Sequence, residues 1–459
     1  MLLGFQVKSH KDVMIIERAC NLKKRIQTYL WLAFYFLMIF LPLVLLMIFP
    51  RPEGREFLRE LSVALGFLAM ALLGLQTIPT SRLKFFTKVF PMDTLYSFHH
   101  GLSILTFIVA LIHPILLFIN NPETLRLLNL IEAPWRARAA VVSILFMLIL
   151  VVTSIWREVL KLKYDVWRWV HDFLAFLAIG LGLYHMFKVN HYMSLTYQKV
   201  IWLVLTGIWV AIILYMRVVR PLIMLRKPYK VDHIIEERGQ SWSIYLKPDG
   251  HSGMDFEAGQ FAWITTESPF IFRENPFSFS TSSEAKGNLI GFTIKELGDF
   301  TRTVKAFKPG DTVYVDGPYG TFNMNEHTTE DLVFIAGGIG SAPVMGMLRT
   351  LADRDYKQPV IFFYGNPTWE TIIYREELEE LEKRLNLKII HVLEKPPEGW
   401  KGESGFINAD ILRKYLPEDY QESTFFMCGP LPMMNAVVGA LKAIDVSPRH
   451  VFPEKYEMA

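Results

Sequence analysis

Six apolar stretches, each long enough to cross a lipid bilayer as a helix, occupy the first half of this 459-residue chain. They lie near 28–49, 61–79, 94–119, 139–156, 166–188 and 200–218, separated by short charged connections. A hydrocarbon core is spanned by about 20 apolar residues in a helix, so the pattern reads as a six-span bundle. Beyond about residue 230 the pattern changes to that of an ordinary α/β enzyme. Composition agrees with a divided chain. Hydrophobic residues make up 51%, high for a soluble protein, while 20% charged residues is high for a bundle alone. The net charge of +3, with no basic stripe, gives no sign of a nucleic-acid partner. Two cysteines, Cys20 and Cys428, rule out a disulfide framework or a cysteine metal site. The first apolar run is long, follows charged residues from Lys8 to Arg25 and lacks a small-residue cleavage site, so it reads as a span rather than a leader.

Orientation follows from the basic residues of the connections. One side carries Lys23 to Arg25, Arg82, Lys84, Lys88, the group from Arg157 to Arg168, and Arg217 to Lys227. The other holds the smaller set around Arg51 to Arg59, Arg126 to Arg138, Lys188 and Lys199. Both termini are therefore expected in the cytoplasm.

Histidines inside the third and fifth spans carry the chemistry. His99 and His113 are fourteen residues apart, as are His171 and His185. At roughly 100° per residue, fourteen steps return to within about 40° of the starting face and climb roughly 21 Å. Each helix thus presents two imidazoles on one side, one toward each membrane surface. Both helices start on the same side, so His99 shares a depth with His171 and His113 with His185. His100, thirteen residues before His113, fits this register less well. A lone histidine in a span is commonly a hydrogen-bond donor or a cavity residue. Two matched pairs on parallel spans point instead to two bis-imidazole haem sites. The lack of C-x-x-C-H agrees with b-type haem. His191 falls beyond the fifth span and reads as a loop residue. Arg157, Lys161, Lys163 and Arg168 suit either haem propionates or a cytoplasmic flank.

From about Tyr229 short alternating strands separated by turns predict a small antiparallel barrel. Between two of them lies ENPFSFSTSS, an aromatic beside hydroxyls. The segment LVFIAGGIGSAPVMGMLRTL then runs a strand into Gly337-Gly338-Ile339-Gly340 and a helix with Pro343 near its start. Such a turn lets backbone approach closely, and the helix N-terminus favours phosphate. Strands and helices alternate to the end, predicting a doubly wound parallel sheet. Gly337–Gly340, Gly365 and Cys428-Gly429-Pro430 all fall at carboxyl ends of its strands.

With these motifs in order, nearly the whole chain resembles the ferric reductase and NADPH oxidase superfamily, as a bacterial member with a ferredoxin-reductase-type dehydrogenase module. The resemblance implies a cytoplasmic segment (1–27), a six-span haem-binding domain (28–220), an FAD-binding β-barrel domain (230–326) and an NAD(P)H-binding domain (327–459). Asn275-Pro276-Phe277-Ser278 matches the flavin motif, with Phe277 packing on the isoalloxazine and Ser278 near its reactive N5; Asn275 replaces the usual histidine. Lys295, Gly298, Asp299 and Thr301 match the segment that holds the FAD pyrophosphate, and Gly317-Pro318-Tyr319-Gly320 the boundary turn. Gly337, Gly338, Gly340 and Pro343 match the nucleotide pyrophosphate loop. Cys428, Gly429 and Pro430 match the nicotinamide lining, and Tyr456 the terminal aromatic that stacks on flavin. Gly365, Tyr374 and Arg375 match the adenosine-reading segment, with Tyr374 stacking on adenine. Trp369 and Glu370 stand where a serine and an arginine would read a 2′-phosphate, which favours NADH over NADPH.

The implied activity is electron transfer from cytoplasmic NAD(P)H through FAD and two haems to an acceptor outside a bacterial plasma membrane. Ser278, Cys428 and Tyr456 stand at the hydride-transfer site. The acceptor is a ferric complex or dioxygen, reacting at the haem edge. Some oxidases of the family carry a histidine four residues beyond the outer ligand, where this chain has Leu117. Two other readings stand beside this one: a transporter or sensor regulated by a nucleotide-binding domain, and an electron donor to a periplasmic protein.

Overall fold

The computed structural model describes residues 10–271, 273–326 and 331–454, with side chains in the first helix from Ile26 onward. The chain divides into two compact units, one formed by Cys20–Phe90 and Thr94–Arg217, the other built mainly from Val218 onward.

The first unit is all helix. In a bilayer every backbone N–H and C=O must be satisfied within its own segment, and the apolar stretches answer with long helices. These are α1 (His10–Ile48), α2 (Phe57–Leu75), the short α3 (Lys84–Thr87), α4 (Met92–Asn120), α5 (Trp135–Ile155), α6 (Tyr164–Val189) and α7 (Thr196–Leu214). Six segments are long and apolar enough to span: Ile26–Ile48, Phe57–Leu75, Met92–Asn120, Trp135–Ile155, Tyr164–Val189 and Thr196–Arg226. Helices α2 and α5 begin about four residues earlier than hydropathy alone places them, because charged residues complete their first turns. In α2, Glu60 accepts from the Arg55 backbone and side chain at 3.2 and 3.0 Å. Glycines set two close approaches. A Cβ on Gly74 would lie 2.1 Å from the Trp209 ring, and one on Gly182 would lie 2.9 Å from the Met70 sulfur.

The last span does not end with α7. It continues through one π-helical turn, Tyr215–Val219, into α8 (Arg220–Arg226), which leads to the sheets of the second unit.

The first sheet is antiparallel. It contains β1 (Tyr229–Glu237), β2 (Ser241–Pro248), β3 (Phe261–Thr265), β4 (Asn275–Ser278), β5 (Ile290–Lys295) and β6 (Thr312–Tyr319), ordered β4-β3-β6-β1-β2-β5. The predicted barrel is not closed by a continuous ladder. Its two edges are joined by an isolated Phe279–Phe292 bridge and the hydrogen bonds beside it, and bulges at Val231/His233 and Phe261/Trp263 help the sheet to curl. Ile244, Leu246, Ile264, Phe279 and Phe292 fill its interior.

The second sheet is wholly parallel. It contains β7 (Leu332–Gly337), β8 (Val360–Asn366), β9 (Leu387–Leu393), β10 (Glu403–Ser404), β11 (Thr424–Cys428) and β12 (Val451–Glu454), ordered β10-β9-β8-β7-β11-β12. Side chains of β7 alternate between two cores. Phe334 packs with Leu348 of α9 (Ser341–Asp353) and Leu378 of α10 (Arg375–Arg384). Val333 and Ile335 pack with Leu412 of α11 (Ala409–Tyr415) and Val437 of α12 (Leu431–Ala443). Helices on both faces make this a doubly wound sheet. Its order reverses at β7, between β8 and β11, so the ligand crevice lies at the carboxyl ends of β7 and β11.

Candidate functional site

Within the helical unit the four predicted histidines form two pairs across α4 and α6. The His99 and His171 ring centroids are 6.3 Å apart with planes at 60°, and those of His113 and His185 are 6.4 Å apart at 68°. Two imidazoles gripping one metal ion from opposite sides through bonds of about 2.0–2.1 Å place their centroids roughly 6.4 Å apart. Both pairs match that spacing. His100 is exposed and belongs to neither.

Three of the four rings have a partner at Nδ1. His113 Nδ1 lies 2.6 Å from the Ser62 carbonyl and 3.1 Å from its hydroxyl. His185 Nδ1 lies 2.8 Å from the Arg136 carbonyl. His171 Nδ1 lies 3.4 Å from the Ser154 hydroxyl. A carbonyl acceptor holds the proton on Nδ1 and leaves an Nε2 lone pair for a metal. Gly66 allows α2 to approach, since a Cβ there would sit 3.1 Å from His113 Nδ1. Facing residues between the paired histidines are small: Ser103, Thr106 and Ala110 on α4, and Ala175, Ala178 and Gly182 on α6. Gln76, which caps the end of α2, binds two of them, donating to Thr106 at 2.8 Å and accepting from Ser103 at 2.6 Å. A flat macrocycle with two axial imidazoles suits these donor pairs.

In the second unit the crevice is assembled by glycine contacts. A Cβ on Gly340 would meet the Cys428 carbonyl oxygen at 2.2 Å, and one on Gly337 would meet the Met433 sulfur at 2.4 Å. The Gly337–Gly340 turn and the Cys428–Pro430 turn therefore touch, as their strand ends predict. Gly338 has a φ of +51°, a left-handed conformation that glycine adopts without strain. Tyr364 fixes this turn from below, its hydroxyl 2.9 Å from Ser341 Oγ and donating to the Gly338 carbonyl at 3.1 Å. Pro343 is buried in the first turn of α9, and Gly365 pairs with Gly337 across β8 and β7. Cys428 is fully buried at the end of β11.

The flavin motif forms β4. Ser278 is buried opposite Phe261, while Asn275, Pro276 and Phe277 are half-buried. Phe277 stacks with Phe300 at 6.0 Å and 26°. Lys295 ends β5 opposite Ser241. Gly298 and Asp299 are exposed, and Thr301 Oγ1 accepts from the Leu297 and Gly298 amides at 2.8 Å each. That hydroxyl organises its own loop.

Two predicted residues are placed otherwise than their motif suggested. Tyr374 has only 4% of its surface exposed and packs in the core beneath Arg349, whose guanidinium lies 5.2 Å from the ring centroid. Its ring therefore has no free face for an adenine. Arg375 lies over Trp369 at 4.9 Å and pairs with Glu376 at 3.2 Å. Trp369 in turn contacts Trp400 at 5.2 Å and His391 at 5.3 Å, so exposed aromatic surface in this region comes from the tryptophans. Tyr456 lies outside the described residues.

Sequence reasoning missed Arg349. This half-buried residue of α9 forms a bidentate pair with Glu377 at 2.7 and 2.6 Å and donates to the Ser280 carbonyl, tying the parallel sheet to the antiparallel one. Burial pulls its pKa down, but the Glu377 bond outweighs that and holds it above its ordinary value. Nothing local marks an arginine in an apolar helix as half-buried, because its partners come from distant segments.

Residues 65–182 match the ferric reductase like transmembrane component, and residues 334–439 match the oxidoreductase NAD-binding domain. NADH-cytochrome b5 reductase 1 of Dictyostelium discoideum is 32% identical over 181 residues, 39% of this chain and 63% of that protein. The protein of the same name from Meyerozyma guilliermondii is 37% identical over 145 residues, 31% of this chain and 51% of its own length. The chain thus spans between about half and 63% of these two relatives. Among solved structures, the cytochrome b5 reductase domain of Ulva prolifera nitrate reductase aligns with a TM-score of 0.43 at 22% identity, over 50% of this chain and 96% of that one. Flavohemoglobin from Malassezia yamatoensis aligns with a TM-score of 0.46 at 16% identity, over 88% and 99%. A ferric reductase-like membrane component followed by an oxidoreductase NAD-binding domain is an arrangement that matches the ferric reductase and NADPH oxidase type of architecture.

Proposed function

We propose that this membrane oxidoreductase carries electrons from cytoplasmic NADH through FAD and two b-type haems to an acceptor on the opposite side of the bilayer. The single observation that carries the reading is the pair of centroid separations, 6.3 and 6.4 Å, at two levels of the same two helices. His99 and His171 hold the inner haem, His113 and His185 the outer. When bound, flavin accepts hydride and the haems pass single electrons. The protein's own residues bind and orient. Phe277 and Ser278 of β4 present the flavin strand, and Tyr456, outside the described residues, is the aromatic expected to stack on flavin. Gly337 to Gly340, with Pro343, cradle the pyrophosphate at the start of α9. Cys428, Gly429 and Pro430 line the nicotinamide place beside them. Lys295, Gly298, Asp299 and Thr301 hold the flavin pyrophosphate.

NADH is favoured by two features. Arg375 is already engaged by Trp369 and Glu376, and Glu370 places a carboxylate where a 2′-phosphate would come. Relatives that match this half are named as NADH reductases. All four histidines would be used in holding iron, which would leave the haem edge for an outer acceptor. Leu117 offers no proton or metal ligand there, which favours ferric complexes over dioxygen.

The test is the purified full chain. Two haems per flavin, a bis-histidine absorption spectrum and haem reduction by NADH are expected, with anaerobic reoxidation by a ferric chelate. A preparation that folds and binds nucleotide but takes up no haem ends this reading and leaves the transporter or sensor. Aerobic turnover with trapped superoxide and no ferric reduction would move the acceptor to dioxygen.

A further inference from the structure

A buried cluster of three charges joins the end of the last span to the flavin strand. Arg220, the first residue of α8, has a side chain only 6% exposed. Its Nη2 lies 3.6 Å from Glu274 Oε1, and its Nε lies 3.6 Å from Asp316 Oδ2, with those carboxylate side chains 0% and 9% exposed. Asp316 also accepts from the Tyr319 hydroxyl at 2.8 Å. Arg220 Nε and Nη1 have no hydrogen-bond partner, so the guanidinium is held between the carboxylates by charge.

The places of the two carboxylates in the sheet are informative. Glu274 immediately precedes Asn275-Pro276-Phe277-Ser278. Asp316 pairs with Trp263 of β3, and Trp263 pairs with Pro276 of β4, so the three lie in one row across β6, β3 and β4. One guanidinium therefore grips the flavin strand at its start and, through that row, from two strands away. The gripping residue belongs to a helix continuous with the last membrane span, just after its π-helical turn. Such turns insert an extra residue and rotate everything that follows, and they recur at functional sites.

Stability alone is a poor reason for this cluster. Buried ion clusters are often matched or surpassed by apolar residues of the same size, while loss of one member leaves uncompensated charge. What a planar guanidinium provides is a fixed fork that holds two acceptors at once, which a lysine point charge does not.

We propose that Arg220 is a positioning residue for electron transfer, registering the flavin strand to the helix that continues the last span. The proposal rests on the flavin-to-haem reading above. In the step concerned one electron leaves reduced flavin and one ferric haem becomes ferrous, with NADH as the source.

The test compares the full-length holoprotein with Arg220→Met, Arg220→Lys and the neutral triple variant Arg220→Met, Glu274→Gln, Asp316→Asn. The single methionine variant removes the cation that two buried carboxylates share and is expected to be destabilised. The triple variant neutralises all three of these groups together and is expected to fold as well as the parent. Rapid mixing with NADH separates flavin reduction from haem reduction. In the triple variant flavin reduction should stay within about twofold, and haem reduction should slow by about tenfold. Hydrogen exchange of Asn275–Ser278 in flavin-free protein supplies a second readout and should speed up about tenfold in the triple variant. The lysine variant should fall between it and the parent. Parental haem reduction and parental exchange in the triple variant would overturn the proposal, as would a lysine variant equal to the parent on both. If the parent itself shows no haem reduction, the electron-transfer reading has failed, and exchange alone decides whether the clamp exists.

Discussion

The four imidazoles differ in how Nδ1 is held. His113 and His185 lean on backbone carbonyls at 2.6 and 2.8 Å, His171 has a longer hydroxyl contact at 3.4 Å, and His99 Nδ1 is buried without a hydrogen-bond partner. A carbonyl-held ring is preset in tautomer and orientation, so the outer pair is the better organised of the two. His113→Ala should remove the outer haem and leave the inner one. Pyridine haemochromogen assay should fall from two haems per flavin to one, with NADH still reducing what remains. Two haems retained in that variant would break the pairing of His113 with His185. At this scale the histidine pairs were legible because fourteen-residue spacing is a property of one helix. The environment of Tyr374 was not, because a tyrosine that begins a helix reads the same whether Arg349 covers it or solvent does.

Strand β9 carries a histidine whose surroundings make it an acid-sensitive joint. His391 lies between Tyr364 at 6.1 Å and Trp369 at 5.3 Å, and its Nδ1 is buried without a hydrogen-bond partner. Burial, with a smaller push from Arg375, draws its pKa from 6.5 to about 4. The folded protein therefore keeps the ring neutral while the unfolded chain takes up the proton first. Stability from this group is full above pH 6.5 and drains away as pH falls toward 4. By pH 5 the loss is about 2 kcal/mol at most. Thermal unfolding followed by tryptophan fluorescence should show a lower midpoint at pH 5 than at pH 7. In His391→Gln that difference should shrink, and an unchanged difference would place the acid sensitivity elsewhere. Among elements, the strand and helix alternation beyond Leu332 was readable from periodicity. The antiparallel sheet was read as a barrel, and the structure leaves its edges joined by one bridge and the hydrogen bonds beside it. Closure depends on bulges and edge contacts that alternation does not encode.

At the scale of the whole chain, the basic connections predict that both termini face the cytoplasm. A phosphatase fused after the C-terminal residue should be inactive in cells, and one inserted between α4 and α5 should be active; the reverse pattern would invert the direction of electron flow. The amino-acid order alone determined the six spans, the two histidine intervals and the glycine turns at strand ends. Each of these follows from local periodicity and from the need to satisfy backbone in lipid or in a sheet. Only the tertiary structure decided how closely the paired imidazoles approach, that Gly340 lies against the Cys428 carbonyl, and that Arg220 meets Glu274 and Asp316. Those contacts join residues far apart in the chain. Their energies depend on burial and on angles between elements, quantities that exist only once the helices and sheets have packed.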